Sequence, residues 1–451
     1  MNMAKVTARK VALDALLEVE KMDGYSNKVL NRMLIDSKLE PVERRLTTKL
    51  LYGVLENKNL LDHIIRQYIN FRINKLEPSI RNILRMAIYQ MVFMENIPDS
   101  ASVNEAVNLA KQYKNRYSGF VNGVLRTFIR KEKAYKLPNK NKDLLQYLTV
   151  VYSHPAWIVE RWLKRHGAEF TEALLKSNNE TPALYGRVNT MKTNREVVLK
   201  DLEFEGFLVE PGKLPDAFRV KTENAGSLAE SKAFKEGSVT IQDIAAQAVG
   251  YIADPQPGQT VLDMCAAPGG KSTHLAALMN DDGKVLSWDI YDHKIIKINE
   301  NATRLGLKTI EASQKDALEV DETLVNKVDL VLLDAPCSGL GIIRRKPEIK
   351  FNKIEDDIFD LADLQSDMLD VAAGYTKVGG HIVYSTCTIE PEENEDQIQK
   401  FLERHPEFQI EEIDLELLPE LWRLDKKGHI TLYPHIHGTD GFFICKMVKT
   451  N

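Results

Sequence analysis

The stretch Thr260-Val-Leu-Asp-Met-Cys-Ala-Ala-Pro-Gly-Gly-Lys-Ser-Thr273 decides the class of fold that this sequence predicts. An apolar strand ends at Asp263, and a turn of small residues precedes a helix that we predict over Ser272–Met279. Gly269 and Gly270 let the backbone approach a ligand closely, because glycine has no side chain and tolerates positive φ. The free N–H groups and the positive dipole end of the helix point back at this turn. The stretch therefore predicts a loop that holds the carboxylate or phosphate of a small molecule.

Three interpretations of this loop compete. The first is a strand–helix turn that needs glycine for its geometry alone. The second is a P-loop nucleotide site, because Gly270-Lys-Ser272 ends like G-x-x-x-x-G-K-[ST], with Val328–Asp334 as a Mg²⁺-binding strand. However, that motif needs a glycine where Cys265 stands, and Pro268 removes an N–H group that a phosphate cradle uses.

The third interpretation is an adenosyl-cofactor site on a doubly wound sheet. Such a site expects an acidic residue about twenty positions after the glycines, where it binds the ribose hydroxyls. Asp289 stands at the end of the apolar run Lys284-Val-Leu-Ser-Trp-Asp289, nineteen residues after Gly270. We favour this third interpretation.

Length and composition indicate an ordinary globular protein with more than one domain. A chain of 451 residues is too long for a single core, and its 43% hydrophobic and 28% charged residues are typical values. The terminus Met1–Glu20 lacks the apolar core of a signal peptide, and no apolar run reaches the ~20 residues that a membrane span needs. We expect a cytoplasmic protein without a membrane partner.

Charge is distributed unevenly along the chain. Residues 1–140 carry 25 Lys and Arg against 14 Asp and Glu, a net charge of +11, whereas residues 141–451 carry 35 against 51, a net charge of −16. Such asymmetry indicates a nucleic-acid contact in the basic part. The alternative is a merely soluble basic domain, and an RNA or DNA partner is the stronger hypothesis.

The periodicity of apolar residues predicts three domains. Residues 1–140 show helical periodicity without strand patterns, which indicates an all-α domain in which Pro41 and Pro78 lie near helix starts. Residues 141–235 mix helices with alternating patterns and predict a small α+β subdomain. The helices that we predict in the first domain cover residues 4–20, Val42–Asn57, Leu60–Ile69, Ser79–Phe93, Val103–Tyr113 and Gly119–Arg130.

Strands and helices alternate regularly over residues 236–451, which predicts a Rossmann-like α/β domain. Ligands bind such sheets beyond the carboxyl ends of the strands, so Asp263, Asp289, Asp316 and Asp334 should share one rim. A last apolar pair, at Ile430–Tyr433 and Gly441–Val448, is expected to form an antiparallel edge. The other predicted strands are Gln259–Asp263, Lys284–Asp289, Thr309–Ala312, Val328–Asp334 and His381–Ser385.

Two of these strand ends carry a cysteine, in Asp334-Ala-Pro-Cys-Ser-Gly339 and in Tyr384-Ser-Thr-Cys-Thr-Ile389. The four cysteines are separated by 72, 50 and 58 residues, which gives no metal-site spacing, so we expect no metal. A lone cysteine after a strand is usually a small buried hydrophobe. Two cysteines at the binding rim of one sheet instead predict a catalytic role.

Pyrimidine chemistry would use such a pair. Carbon 5 is a poor nucleophile until a thiolate adds to carbon 6, after which carbon 5 can attack a sulfonium methyl group. The carbon 5 proton must then leave before the thiolate is expelled. Asp334, beside Cys337, is placed to bind nitrogen 3 of the adduct. Candidates for a positive charge that keeps the thiol ionised are Lys271, Arg344 and Arg345.

The basic domain resembles the NusB-type helical domain, an RNA-binding module. The resemblance is carried by Ile83-Leu-Arg-Met-Ala-Ile-Tyr-Gln-Met91, Ile97-Pro-Asp-Ser-Ala-Ser-Val-Asn-Glu-Ala-Val107 and Gly119-Phe-Val-Asn-Gly-Val-Leu-Arg126, and it covers most of residues 1–135. That domain is also fused to one group of ribosomal RNA methyltransferases.

The last domain resembles the RNA cytosine-5 methyltransferases of the Sun family through its three motifs, which occur in the family's order. The resemblance implies S-adenosylmethionine as the cofactor, Cys387 as the nucleophile and Cys337 as the residue that assists product release. It places Asp334 beside the methyl donor and the target base. The implied cofactor residues are Cys265, Ala266, Ala267, Pro268, Gly269, Gly270, Lys271, Asp289 at the ribose, Asp316 at the adenine, and Asp334.

Together the two resemblances indicate the RsmB (Fmu) group, which methylates one cytosine of bacterial 16S ribosomal RNA, at position 967. They imply a monomer that acts on free RNA or an early small-subunit particle, and not on DNA. A non-catalytic RNA-binding assembly factor is the main alternative, and a P-loop NTPase comes third.

Two further segments and the last cysteine are interpreted from their local sequence. Gly341–Pro347 is either an RNA-backbone grip or a solvated basic turn. The acidic run Glu390–Asp396 is interpreted as structural, with Glu392 and Glu393 complementing a helix dipole. We expect Cys445 in the core.

Overall fold

The computed structural model describes residues 6–22, 25–221, 227–413, 418–419, 422 and 428–451. The chain divides into two compact units, of which the first comprises Met1–Glu180 and Ile343–Lys353, and the second Thr181–Ile342 and Ile354–Asn451. The domain boundaries after residues 140 and 235 remain a prediction. Within the described ranges, no helix is both long and apolar enough to cross a membrane.

The first unit is helical. Proline occupies the first turn of two of its helices, as the sequence predicts, because its missing N–H would have no helical partner there. The helix predicted over residues 4–20 is observed from Ala8 to Met22, and residues 4 and 5 lie outside the described residues. The helices are α1 (Ala8–Met22), α2 (Ser26–Ser37), α3 (Pro41–Glu56), α4 (Lys58–Arg66), α5 (Pro78–Phe93), α6 (Asp99–Lys114), α7 (Ser118–Arg130), α8 (Leu144–Val151), α9 (Ala156–His166), α10 (Ala168–Ser177) and the short α16 (Ile349–Asn352).

A buried ion-pair network lies among these helices. The Arg85 side chain on α5 is 3% exposed and donates from Nη1 to Glu20 at 2.6 Å and from Nε to Asp62 at 2.7 Å. Glu20 also pairs with Arg81 at 3.3 Å, so loss of Arg85 would remove the shorter ion pair of Glu20 and the ion pair of Asp62 with Arg85.

The segment Ile343–Lys353 belongs to this helical unit although it follows the Pro-Cys motif in sequence. The Glu348 carboxylate accepts hydrogen bonds from the backbone N–H of Ser26 at 2.8 Å and from its hydroxyl at 2.7 Å. Lys350 is fully buried and donates to the carbonyl of Glu56 at 3.1 Å. These bonds attach the segment to α2 and α3.

The second unit begins with a small antiparallel sheet and two helices, α11 (Arg195–Phe204) and α12 (Lys232–Lys235). The Asn194 side chain caps α11 by accepting from the N–H of Val197 at 3.0 Å. The α+β subdomain is therefore confirmed. Its strands are β1 (Leu184–Val188), β2 (Leu208–Pro211), β3 (Ala217–Lys221) and β4 (Val239–Ile241), in the order β2-β3-β1-β4.

The larger sheet has the order β10-β12-β9-β8-β5-β6-β7, with β11 paired to β12. Strands β5 to β9 are parallel, and β12 runs antiparallel to β9. The strands are β5 (Thr260–Asp263), β6 (Lys284–Asp289), β7 (Ile310–Gln314), β8 (Val328–Asp334), β9 (Thr376–Thr386), β10 (Phe408–Ile410), β11 (His429–Leu432) and β12 (Phe442–Lys449). The accompanying helices are α13 (Ile244–Ala253), α14 (Gly270–Leu278), α15 (Asp292–Leu305), α17 (Asp356–Tyr375), α18 (Glu395–Arg404) and α19 (Pro434–His437).

Apolar cores lie on both faces of this sheet. Val261 packs with residues of α13 and α14, whereas the next residue, Leu262, packs with residues of α17. Successive side chains of a strand point to opposite faces, so the sheet is covered on both sides. The doubly wound α/β class is confirmed.

The predicted strands are all present, but some bounds differ. The strand expected at His381–Ser385 is longer, and α14 begins at Gly270 rather than Ser272. The antiparallel pair near the carboxyl terminus is present as β11 and β12. Its placement as the sheet edge was wrong for β12, because β10 and β11 both pair with its outer side.

We predict that Arg85→Ala lowers the free energy of unfolding by about 3–5 kcal/mol, because it removes a buried cation that pairs with two largely buried carboxylates. Urea unfolding of the full chain, followed by circular dichroism, measures the change. Arg116→Ala is the control, since that side chain is 70% exposed and its pair with Glu77 should contribute little. Equal midpoints for the two variants would contradict a stabilising role of the network.

Candidate active site

The loop after β5 has the geometry expected of a ligand-binding turn. Gly269 has φ +94°, and a Cβ there would lie 3.3 Å from Cα of Ile298, so larger residues are disfavoured twice. The Asp263 carboxylate accepts from the Ser272 hydroxyl at 2.6 Å. Burial raises the pKa of Asp263 to about 7. The strand end is thus fixed to the first turn of α14.

Two of the predicted acidic cofactor residues lie on neighbouring strands. Asp289 ends β6, is 7% exposed, pairs with Lys294 at 3.1 Å and accepts from the N–H of Tyr291 at 3.2 Å. Asp316 lies two residues after β7, and its carboxylate accepts from the N–H of Leu318 at 3.0 Å. The parallel pairing of β5, β6 and β7 places these groups toward the carboxyl ends of the strands.

An ion pair links the glycine loop to the end of β8. Lys271 donates to Asp334 at 2.6 Å, and the Ser385 hydroxyl donates to the other carboxylate oxygen at 2.8 Å. Burial disfavours the charge on Lys271, but Asp334 outweighs that effect and the pKa of Lys271 is raised. Cys387 also interacts electrostatically with Lys271, which makes this lysine a cation within reach of that thiol.

The two motif cysteines meet at this rim. Strands β8 and β9 are parallel neighbours with Asp334 opposite Ser385, so the loops that follow them lie side by side. The Sγ atoms of Cys337 and Cys387 are 3.3 Å apart. The hydrogen bond with Cys387, together with burial, holds the pKa of Cys337 well above its ordinary value. Cys337 is therefore a neutral thiol near pH 7.

The other two cysteines differ from this pair. Cys445 is fully buried on β12, which confirms its expected place in the core. Cys265 lies in the glycine loop, and burial followed by the charge of Asp263 raises the pKa of its thiol. Nearby, the N–H of Ala266 donates to the carbonyl of Trp288 at 2.7 Å and fixes the loop against β6.

The sequence analysis missed an arginine that supports the glycine loop. Arg187 on β1 is 3% exposed and donates to the carbonyl of Gly270 at 2.9 Å and to the hydroxyl of Thr273 at 3.1 Å. Burial lowers the pKa of Arg187 to about 9. Arg187 lies 83 residues before Gly270 in sequence, so no local pattern could have identified it.

The structure corrects one sequence interpretation and extends another. Arg344 is 8% exposed within the segment of the helical unit, so it does not lie on a solvated basic turn. Glu393 is fully buried, and its carboxylate accepts from the N–H of Ser338 at 2.8 Å. Glu392 and Glu393 lie in the first turn of a short helix, as interpreted, and Glu393 in addition binds the loop that contains Cys337.

Three family models and several known proteins match this chain. The family model described as 16S rRNA methyltransferase RsmB/F matches residues 250–448, the NusB family model matches residues 6–130, and a Methyltr_RsmF/B-like ferredoxin-like domain matches residues 154–225. A protein of Bacillus subtilis (strain 168) named probable ribosomal RNA small subunit methyltransferase B is 41% identical over 99% of this chain and 100% of its own. The chain belongs to the RsmB family.

Further matches extend over nearly the whole chain. A Synechocystis protein with the same name is 35% identical over 98% of this chain and 100% of its own. The crystal structure of PH0851 is 30% identical, covers 99% of this chain and 100% of its own, and superposes with a TM-score of 0.83. The NusB-like first domain and the RsmB resemblance are thus confirmed.

Alkylation of Cys337 tests its raised pKa. Because that pKa lies well above the ordinary value of 9.0, the thiolate fraction should grow about tenfold per pH unit from pH 7 to 9. We expect the logarithm of its iodoacetamide rate, measured by peptide mass spectrometry, to rise with a slope of about one. A short peptide with the same local sequence is the control and should level off near pH ~8.5. A plateau of the protein's Cys337 below pH 9 would contradict the raised pKa.

Proposed function

We propose that this protein transfers a methyl group from S-adenosylmethionine to carbon 5 of a cytosine in 16S ribosomal RNA through a covalent adduct with Cys387. The observation that carries the proposal is the 3.3 Å approach of Cys337 and Cys387, beside the Lys271–Asp334 pair. Membership of the RsmB family supports the RNA substrate.

The residues of the rim fit the cofactor. The first turn of α14 presents backbone N–H groups suited to a carboxylate, and the close approach at Gly269 keeps that turn narrow. Asp289 supplies a carboxylate for ribose hydroxyls, and Asp316 lies on the adjoining strand end for the adenine. When bound, S-adenosylmethionine supplies an electrophilic methyl group. The loop Cys265–Lys271 would hold it largely through backbone atoms.

Cys387 is the proposed nucleophile. Its thiolate forms a bond to carbon 6 of the cytosine, and the electron pair displaced to carbon 5 makes that carbon able to attack a methyl group. Cys337 keeps its proton, because the hydrogen bond with Cys387 and burial raise its pKa, and we assign the nucleophilic thiolate to Cys387. Lys271 lies within electrostatic reach of Cys387 and favours that charge.

Asp334 and Cys337 are assigned the remaining steps. Asp334 is held by Lys271 and Ser385, and we assign it the hydrogen bond to nitrogen 3 of the adduct. After methylation the carbon 5 proton passes to water, the electron pair of the broken C–H bond re-forms the double bond between carbons 5 and 6, and the Cys387 sulfur leaves carbon 6 as a thiolate. Cys337, the immediate neighbour of that sulfur, is assigned the assistance of this release.

The proposal includes the substrate form and setting. The protein would act as a cytoplasmic monomer on free 16S RNA or on an early small-subunit particle, at cytosine 967 in the numbering used for the family. The basic first domain, with a net charge of +11 over residues 1–140, would supply salt-sensitive affinity for phosphates rather than base reading. The flipped or unpaired cytosine must present the face of carbon 6 to Cys387.

Single cysteine variants test the two roles. With labelled S-adenosylmethionine and 16S RNA, Cys387→Ala should show neither methylation nor a protein–RNA band on a denaturing gel. Cys337→Ala should accumulate the covalent band, because release is impaired. If Cys387→Ala still methylates and Cys337→Ala is inactive, the assignment is reversed. An inert wild type would favour the non-catalytic assembly factor.

Asp289→Ala tests the cofactor site. Loss of a charged hydrogen-bond acceptor costs about 1.5–3 kcal/mol, so calorimetry should show roughly ten- to hundredfold weaker binding of S-adenosylmethionine. Asp292→Ala, an exposed carboxylate three residues further on, is the control and should bind like wild type. Unchanged affinity of Asp289→Ala for S-adenosylmethionine would contradict the ribose assignment. A binding heat in a calorimetric titration with ATP would favour the P-loop alternative.

A further inference from the structure

A buried glutamate joins the two cysteine loops. The Glu393 side chain is fully buried. One carboxylate oxygen accepts from the N–H of Ser338 at 2.8 Å and from Nε2 of Gln365 at 3.1 Å. The other oxygen accepts from the hydroxyl of Ser338. This carboxylate therefore receives two hydrogen bonds from the residue that follows Cys337 and one from Gln365, and it also hydrogen-bonds with the side chain of Thr388.

The same network reaches the second cysteine loop. The hydroxyls of Ser338 and Thr388 are 2.8 Å apart and share a hydrogen bond. Thr388 directly follows Cys387, as Ser338 directly follows Cys337. The neighbouring Asn394 donates to the carbonyl of Thr388 at 3.2 Å and holds the same loop. The residue that follows each reactive cysteine is thus held by hydrogen bonds, Ser338 by Glu393 and Thr388 by Asn394.

Stability alone is a weak reason for this arrangement. Burial raises the pKa of Glu393, which shows that the site disfavours its charge. The bonds named above come from amide and hydroxyl donors, which offset a buried carboxylate less well than a cation does. A buried polar network that is fully hydrogen-bonded fixes geometry, and geometry is what a thiol pair 3.3 Å apart requires.

We propose that Glu393 is a positioning residue that holds the Cys337 and Cys387 loops at their reactive separation through Ser338 and Thr388. The consequence for catalysis rests on the function proposed above. The consequence for the spacing of the two thiols is independent of that function, so a thiol cross-linking test and a methylation test can fail separately.

Dibromobimane tests the spacing without any RNA, because it fluoresces once both of its arms have alkylated thiols and released bromide. Wild type should gain the bridged product, and Cys337→Ala should not. Glu393→Ala should form it at least tenfold more slowly, whereas Glu403→Ala, an exposed position on α18, should behave like wild type. Bridging at the wild-type rate in Glu393→Ala would overturn the proposal.

Glu393→Gln separates geometry from charge. Its amide oxygen can accept from the N–H of Ser338 and from Gln365, while its NH₂ donates to the Ser338 hydroxyl, which then donates to Thr388. We expect this variant to keep bridging and kcat within about threefold of wild type, whereas Glu393→Ala loses about a hundredfold in kcat with KM for RNA unchanged. Equal losses in both variants, or a loss confined to KM, would overturn the positioning role.

Two smaller changes cover the case in which Glu393→Ala does not fold. Ser338→Ala and Thr388→Val each remove one link and should slow bridging severalfold, with S-adenosylmethionine affinity and circular dichroism unchanged. Full bridging rates in both would overturn the proposal. A wild type that bridges its thiols but methylates no RNA would refute the proposed function while leaving the positioning of the thiols established.

Discussion

The parallel pairing of β8 and β9 is the constraint on which the site depends. Asp334 stands opposite Ser385 in that register, so the chain continues from each strand into a cysteine loop at the same rim. Fifty residues separate Cys337 from Cys387, yet their sulfurs lie 3.3 Å apart. A shift of one residue in this register would turn the Asp334 side chain to the opposite face of the sheet. The ion pair with Lys271 and the hydrogen bond from Ser385 would then be lost.

Buried polar groups also hold the loops that follow the strands of this sheet. Arg187 binds the carbonyl of Gly270 from a strand of the smaller sheet, so the glycine loop is supported from outside its own βα unit. Glu393 likewise accepts a hydrogen bond from the backbone of Ser338, in the loop that contains Cys337. Each group is costly to bury and is satisfied by several hydrogen bonds, which is typical of a supporting shell around a reactive centre.

The environment of the rim shifts the pKa of one of the two motif thiols. Cys337 shares a hydrogen bond with Cys387, and burial adds to the same effect, so its pKa is raised. Two thiolates in contact would repel each other, so the pair carries one negative charge more readily than two. Lys271, held by Asp334, is the cation next to this pair. The same ion pair therefore fixes Asp334 and places a cation within electrostatic reach of Cys387.

Much of the fold was predictable because buried parallel strands form continuous apolar runs, as β5, β6 and β8 do. The helix α2 (Ser26–Ser37) was not predicted. Motif positions identified the two cysteines and Asp334. Arg187 and Glu393 were beyond sequence reasoning, because their roles arise from contacts made across 83 and 55 residues.

The central claim is that Cys387 bonds to carbon 6 of a cytosine, and the most direct measurement is to trap that bond. RNA carrying 5-fluorocytosine at the target should stall the reaction after methylation, because fluorine replaces the proton that must leave carbon 5. Digestion and mass spectrometry should then find the nucleotide on the peptide that contains Cys387. A nucleotide on the Cys337 peptide, or RNA methylated without any adduct, would contradict the account.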